Sequence, residues 1–401
     1  IFLGVYMAVK VLLSALMAFV IYFFTISMHG ANIITWIYGA FLLYLFISMI
    51  FTGNINKYRR IFQLVFAVLF TISFIGNLYD ERGSMAITQN ALFESEIPFC
   101  HLVIPVSIIP YALTKTIIFP ARITGHYAAI VSMLVIWLTA ALTIGRGWCS
   151  WACFYGGLED GFSGIAKKQK IKLLPKSKEI RYFHFAFFSF LILMGVAFLS
   201  SIFCEWFCPF KLITEFTPIV DIPSLIATFI FMSVFLIFIV ILPILTKKRT
   251  QCSMLCPFGA MQSLLDPVSI YRVAIDTDKC TSCMQCASVC PFNAIDIDTI
   301  TQKKGRPEIT CAKCGACMDV CPQKAITMEY SFSKLLAKKC GTNVLNPDNK
   351  IQKFFMDLLD PKHVFMFSAF TFGVIISSSL STDGIRRLIS GLLSALQLGG
   401  N

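Results

Sequence analysis

Runs of about 18 or more apolar residues recur along the chain, and a helix of that length is what crosses roughly 30 Å of hydrocarbon. They lie at about residues 3–27, 31–52, 61–78, 126–145, 183–203, 223–245 and 363–380. With 57% hydrophobic and 14% charged residues among 401, the chain reads as mainly α, a polytopic transmembrane helical bundle. A cleaved signal peptide is not expected, since the first run is long and no small-residue cleavage site follows it. The chain opens on Ile1 rather than Met, which points to a further piece upstream. Lys10, inside the first run, is expected to snorkel or to face the bundle.

The net charge of +12 does not point to nucleic acid, because the basic residues cluster in short loops: Lys57, Arg59 and Arg60; KKQKIKLLPKSKEIR at 167–181; Lys247, Lys248 and Arg249. The positive-inside rule puts these loops in the cytoplasm of a prokaryotic inner membrane and the acidic stretch 79–99 outside. Segment 100–125 carries Pro105, Pro110, Lys115, Pro120 and Arg122, and counting it as a crossing would move two of the basic loops outside. It is therefore read as re-entrant or broken, burying its irregular backbone in protein.

Between residues 251 and 345 the pattern breaks. KCTSCMQCASVCPFNAIDID and TCAKCGACMDVCPQKAITM are two copies of C-x2-C-x2-C-x3-C-P, with 20 residues between Cys290 and Cys311. Three close thiolates wrap one side of a [4Fe–4S] cube and a distant fourth completes it, and in two-cluster ferredoxins that fourth cysteine serves the other cluster. The spacing assigns Cys280, Cys283, Cys286 and Cys321 to one cluster and Cys311, Cys314, Cys317 and Cys290 to a second. Zinc sites come as separated C-x2-C pairs rather than triples followed by Pro, and a domain on the reducing side disfavours disulfides. The pieces RVAID, AIDID, EIT and AITM read as short strands of an inserted α+β two-cluster ferredoxin. The expected domains are thus 1–250 in the membrane, 251–345 ferredoxin, and 346–401 a membrane helix with an amphipathic tail.

Six further cysteines form C-x3-C pairs: Cys149 with Cys153, Cys204 with Cys208, and Cys252 with Cys256. At i, i+4 on a helix end, both sulfurs are expected on one face, one turn apart. The bland alternative is that these are small apolar packing residues, but three such pairs at helix ends, two followed by Pro-Phe, argue for ligands. The topology sends Cys149, Cys153, Cys252 and Cys256 to the cytoplasmic edge as a third cluster. It sends Cys204 and Cys208 to the outer face, where a fourth site, with Cys100 and His101 as further donors, is expected. Cys340 reads as uninvolved.

GRGWCSWACFYG, CPFGAMQ and the double ferredoxin motif together resemble the NapH/NosR group of membrane polyferredoxins, over roughly residues 120–330. The group includes related cytochrome oxidase assembly proteins. The resemblance implies paired membrane cysteine motifs, a cytoplasmic ferredoxin, and quinol oxidation or electron transfer across the membrane to a periplasmic partner. Phe154 stands where the family has Pro, the Cys204/Cys208 pair is additional, and no S/T-G-A-T flavin attachment motif is present.

Two functions compete. One is an oxidoreductase subunit of a redox complex, of quinol dehydrogenase type, relaying electrons between quinone or a cytoplasmic donor and an extracytoplasmic reductase or cytochrome. The other is a maturation factor reducing a metal ion or thiol for another complex. Arg122, His126 and Glu205 are quinone candidates, with Glu215, Glu159 and Asp160, because ionisable groups at membrane boundaries mark functional sites as well as solvated anchors. His29, His126, His184 and His363 occupy no facing pair of positions, which speaks against a b-type haem. The ending DGIRRLISGLLSALQLGG reads as an interfacial helix or subunit contact.

Overall fold

The computed structural model describes residues 2–81, 96–98, 101–114, 127–171, 177–199, 201–211, 219, 221–331 and 350–398. Among the described residues, six helical segments are long and apolar enough to cross a membrane: Val5–Ser27, Ile33–Thr52, Ile55–Gly76, Glu179–Phe198, Ile222–Thr246 and Pro361–Ser394. The expected crossing at 126–145 is shorter than these. Its residues form a strand, Tyr127–Ala129, and a helix, Ile130–Thr143, of 14 residues. At 1.5 Å per residue that helix is about 21 Å long. A 3-10 turn at Gly145–Gly147 follows it, with Gly145 at φ +56°, where a Cβ would lie 2.4 Å from an Asp266 carboxylate oxygen.

Strand Tyr127–Ala129 pairs antiparallel with Glu96–Pro98, in the register Glu96↔Ala129 and Pro98↔Tyr127. The two ends of the segment between these strands therefore lie side by side. Its described part is the helix Val103–Thr114, with Pro110 inside.

The chain divides into two compact units. The first comprises Ile1–Val65, Ala140–Cys153 and Leu265–Thr382. Its helix Ile33–Thr52 starts from a capping box in which Asn32 accepts from Thr35 N–H and the Thr35 side chain returns to Asn32. Phe46, Phe62 and Phe370 form a buried aromatic contact, and Thr25 bonds Ser378 at 2.8 Å. Lys10 is buried, its ammonium 4.3 Å from the Tyr6 ring centroid, so it faces the bundle.

The ferredoxin body belongs to this unit. Tyr271–Ile275 pairs antiparallel with Ile326–Tyr330, Val273 facing Met328, and alternate residues of the first strand are buried. RVAID and AITM thus fall on strands. AIDID and EIT do not, which corrects that expectation. Asp296 accepts from Thr299 N–H and starts the helix Ile297–Thr301, so local side-chain bonding overrides β propensity there. The two cysteine motifs share an unusual backbone: Ser282 and Lys313, Met284 and Gly315, Asn293 and Lys324 occupy equivalent positions and all have positive φ.

The second unit comprises Phe66–Thr139, Phe154–Leu264 and Asp383–Asn401. Asp221 and Ser224 form a capping box for Ile222–Val234, which runs on through a wider turn to Thr246 and ends at Lys247, φ +55°. The expected break between the last span and an interfacial tail is also corrected, since Pro361–Leu398 is one continuous helix. Gly384, instead of stopping it, permits close packing: a Cβ there would lie 2.2 Å from the Leu69 carbonyl oxygen. Asp383 bonds Arg387 at 2.8 Å one turn on, and Ser73 donates to Asp383.

Candidate metal centres

Each ferredoxin motif winds its first three cysteines around a loop and leads into a five-residue helix, Gln285–Val289 or Ala316–Val320, with the fourth cysteine just past its end. Cys280, Cys283, Cys286 and, from the other motif, Cys321 line one cavity together with Ile275, Ile300 and Ile326. Burial pushes the Cys286 thiol up, with Cys280 and Cys283 adding to it. Burial likewise pushes Cys311 up to about 12, and Cys290 and Cys314 add repulsion. Cys317 is raised well above the ordinary thiol range by burial and then by Cys314, Cys311 and Cys290. Four sulfurs gathered where solvent cannot support a thiolate fit iron, which would bind the deprotonated form.

Backbone N–H groups of Ala294 and Ala325 donate to Cys290 and Cys321 Sγ, each at 3.3 Å. Such bonds help to set cluster potentials. Among the described residues no three His, Cys, Asp or Glu side chains converge tightly enough for a single ion. Sulfurs ringing a space suit a cube, whose corners take one thiolate each. None of the described cysteines, which are all but Cys100 and Cys340, forms a disulfide.

Cys149 and Cys153 belong to the first unit, while Cys204, Cys208, Cys252 and Cys256 belong to the second. The expectation that each pair shares one face of a helix is corrected. Cys149, Cys204 and Cys252 are helical, but Cys153, Cys208 and Cys256 lie beyond the helix end. Cys153 N–H donates to the Trp148 carbonyl and Cys256 N–H to the Gln251 carbonyl, the same five-residue closure. In each ferredoxin motif the last two cysteines make the same exit from a helix.

In the first unit, the turn carrying Cys149 and Cys153 is held by buried cations. Arg59 donates from Nη1 to the Ser150 carbonyl at 3.0 Å and from Nε to the Cys314 carbonyl at 3.1 Å. The Trp151 indole donates to the Lys313 carbonyl at 3.1 Å, and Lys313 Nζ reaches the Ile144 carbonyl, Asp266 Oδ1 and Ser269 Oγ at 3.0, 2.7 and 2.8 Å. The Ser150 hydroxyl is buried with no hydrogen-bond partner, a polar atom that a cluster sulfide would satisfy.

In the second unit, Glu159 accepts from the backbone N–H of Gln251 at 2.6 Å and Cys252 at 3.2 Å, satisfying the start of the helix Thr250–Met254. Burial pushes its carboxyl up to about 7, against the pull of Cys252, Arg249 and Gln251. Asp160 pairs with buried Arg249 at 2.9 Å. Glu159 and Asp160 thus brace the cysteine segment. His184 Nε2 lies 2.9 Å from the Cys256 carbonyl, and Gly259 N–H donates to Cys256 Sγ at 3.3 Å. Both amide atoms of Gln262, fully buried six residues after Cys256, lack a partner, again a fit to a polar group nearby. His101 is buried among Phe154, Tyr155 and Phe258, the last at 4.8 Å between centroids, and Tyr155 packs on Phe210 at 4.0 Å.

Glu205 lies on the turn Phe203–Phe207, partly exposed beside Trp206. Arg122, His126, Glu215, Cys100 and Cys340 lie outside the described residues. Arg59, read from sequence only as a cytoplasmic anchor, and Lys313 were missed as site residues. A cation beside a cysteine motif or at a span's edge was the available signal.

A family model described as a 4Fe-4S binding domain matches residues 273–296, and a second of the same description matches three segments in turn, 126–172, 181–217 and 228–269. Each of the three holds one C-x3-C pair, so Cys204 and Cys208 sit in the same kind of module as the others. The ferredoxin-type protein NapH of Escherichia coli (strain K12) is 26% identical over 42% of this chain and 56% of its own length. The regulatory protein NosR of Stutzerimonas stutzeri is 27% identical over 41% of this chain and 23% of its own.

The chain is similar to the NapH/NosR group of polyferredoxins.

YccM of E. coli (strain K12) is also 26% identical to this chain, over 54% of the chain and 60% of its own length. The chain therefore spans under two thirds of these curated relatives. No solved structure matches it. Its apolar helices and its matches to 4Fe-4S binding domains make it a membrane-bound iron–sulfur protein that carries [4Fe–4S] clusters.

Proposed function

We propose that this polyferredoxin relays electrons between a quinone pool or a cytoplasmic donor and a partner across or at the membrane. Two clusters would be held by Cys280, Cys283, Cys286 and Cys321 and by Cys290, Cys311, Cys314 and Cys317. The C-x3-C pairs would add a third, from Cys149, Cys153, Cys252 and Cys256, and a further site at Cys204 and Cys208. Bound clusters supply one-electron carriers; the chain's part is to hold, space and shield them.

The observation that carries the reading is the Trp151–Lys313 hydrogen bond, which ties the turn between Cys149 and Cys153 to the loop between Cys311 and Cys314. A turn with ligand-type cysteines packed directly on a ferredoxin loop is what a relay needs and what a free-standing ferredoxin does not. The basic loops at 57–60 and 247–249 support an inner-membrane location with the ferredoxin in the cytoplasm. Glu205, Arg122 and His126 remain the proposed quinone contacts.

The test is iron and sulfide content with EPR on anaerobically purified wild type and on C204A/C208A. About 8 irons would confine loading to the ferredoxin and about 12 would add one membrane cluster. The relay reading expects at least the higher count, and a distinct signal lost from the double variant. Wild type stopping at about 8 irons, with no further signal, would sink the membrane part of the proposal.

A further inference from the structure

Arg59 is 1% exposed near the start of the helix Ile55–Glu81, and its guanidinium meets three separate parts of the chain. Nε donates to the carbonyl of Cys314, Nη1 to the carbonyl of Ser150 and to Gln63 Oε1, and Nη2 to Asn56 Oδ1, at 3.1, 3.0, 3.1 and 2.7 Å. One of these carbonyls belongs to a ferredoxin cysteine and another lies between Cys149 and Cys153. Gln63 extends the link, its amide 3.5 Å from the Cys153 carbonyl. Asp319 faces the same helix end, accepting from Asn56 N–H at 2.9 Å.

We infer that Arg59 is a positioning residue for electron transfer, fixing the spacing between the buried ferredoxin cluster and the Cys149–Cys153 turn while raising that cluster's potential. The inference rests on the reading that these cysteines hold clusters. Its first half is geometric. Four of the five N–H groups of a planar fork are spent on oxygens of fixed direction, a pattern that the compact ammonium of lysine cannot reproduce. With Trp151 and Lys313 it makes two ties between the same two loops, so their separation is set by hydrogen bonds rather than by loose packing.

The second half is electrostatic. A cube on four thiolates is net negative and gains one more negative charge on reduction. A guanidinium that never deprotonates, held in a low-dielectric interior beside it, stabilises the reduced form. The exposed loop of Cys283 is surrounded by water and ions that screen such a charge. The two ferredoxin clusters are thereby set apart in potential, and the buried one is favoured as the place where the electron rests. In the step itself one electron leaves one centre and arrives at the other, so the first is oxidised as the second is reduced. No bond forms and no proton moves.

The test is an EPR-monitored redox titration of the anaerobically purified full chain, for wild type, R59Q and R59K, with iron content measured on each. The expected result is a downward shift in the midpoint potential of the cluster on Cys290, Cys311, Cys314 and Cys317 in R59Q, with the other ferredoxin cluster unmoved. In R59K the potential stays near wild type while equilibration between centres after rapid mixing with dithionite slows, because charge is kept and the fork is lost. Unshifted potentials in R59Q at full iron content overturn the inference and leave the cluster reading standing. Wild type without two distinct four-iron signals overturns both. If R59Q loses its iron, R59K decides: a potential that falls there despite the retained charge overturns the tuning role.

Discussion

The two ferredoxin motifs have the same spacing, the same three left-handed backbone positions and the same helical exit, yet they face different surroundings. In the first set Cys283 is exposed, Cys280 and Cys321 are partly so, and only Cys286 is buried. In the second set Cys290, Cys314 and Cys317 are buried and only Cys311 is partly exposed. At one of the equivalent left-handed positions the first copy carries the exposed Ser282 and the second carries Lys313, which reaches three oxygens. The motif dictates how sulfurs are presented. The residues between the cysteines decide what the loop docks against, and so which cluster faces water and which faces the membrane helices.

The largest effect should come from removing a buried ligand. C317S is expected to lose about half of the ferredoxin iron and to destabilise the whole first unit, whereas C283S loses one cluster and unfolds nearly as wild type does. Iron content and thermal unfolding by circular dichroism read both, and equal destabilisation would erase the distinction between the copies.

Next comes K313M, which takes the buried ammonium from three oxygens, leaves the partly buried Asp266 carboxylate to the Arg146 N–H, and should cost about 3 kcal/mol of stability, measurable by denaturant titration. S282A, at the matching exposed position, should cost less than about 0.5 kcal/mol. A third prediction sharpens the contrast kinetically: an iron chelator acting on the dithionite-reduced protein should remove the EPR signal of the Cys280–Cys321 cluster first. Simultaneous loss would mean that both are equally accessible. The smallest effect is expected of K279A, which removes a surface pair with Asp276 at 2.8 Å and should leave the melting temperature unchanged.

Local chemistry was legible in the sequence because cysteine spacing is a local property. So were the long apolar helices, since hydrophobic length alone defines them. What misled was context. The stretch 126–145 reads as uniform apolar helix, but the strand at Tyr127–Ala129 takes its first residues and shortens the helix. The tail from Asp383 read as an interfacial helix, yet in the folded chain it continues the last span, and Gly384 lets it lie against Leu69. AIDID has strand composition, but Asp296 and Thr299 close a helix cap, a bond that composition cannot reveal. Arg59 and Lys313 were invisible as site residues for a different reason. Each reaches a backbone carbonyl far along the chain, at Cys314 and Ile144, 255 and 169 positions away.

The exposure of Cys283 has a consequence for survival in air. Dissolved oxygen would meet a cluster held there first, because its leading loop, Cys280 to Cys286, is the wet one. Loss of that cluster would leave the inner loop, anchored by Lys313 and Arg59, in its shape.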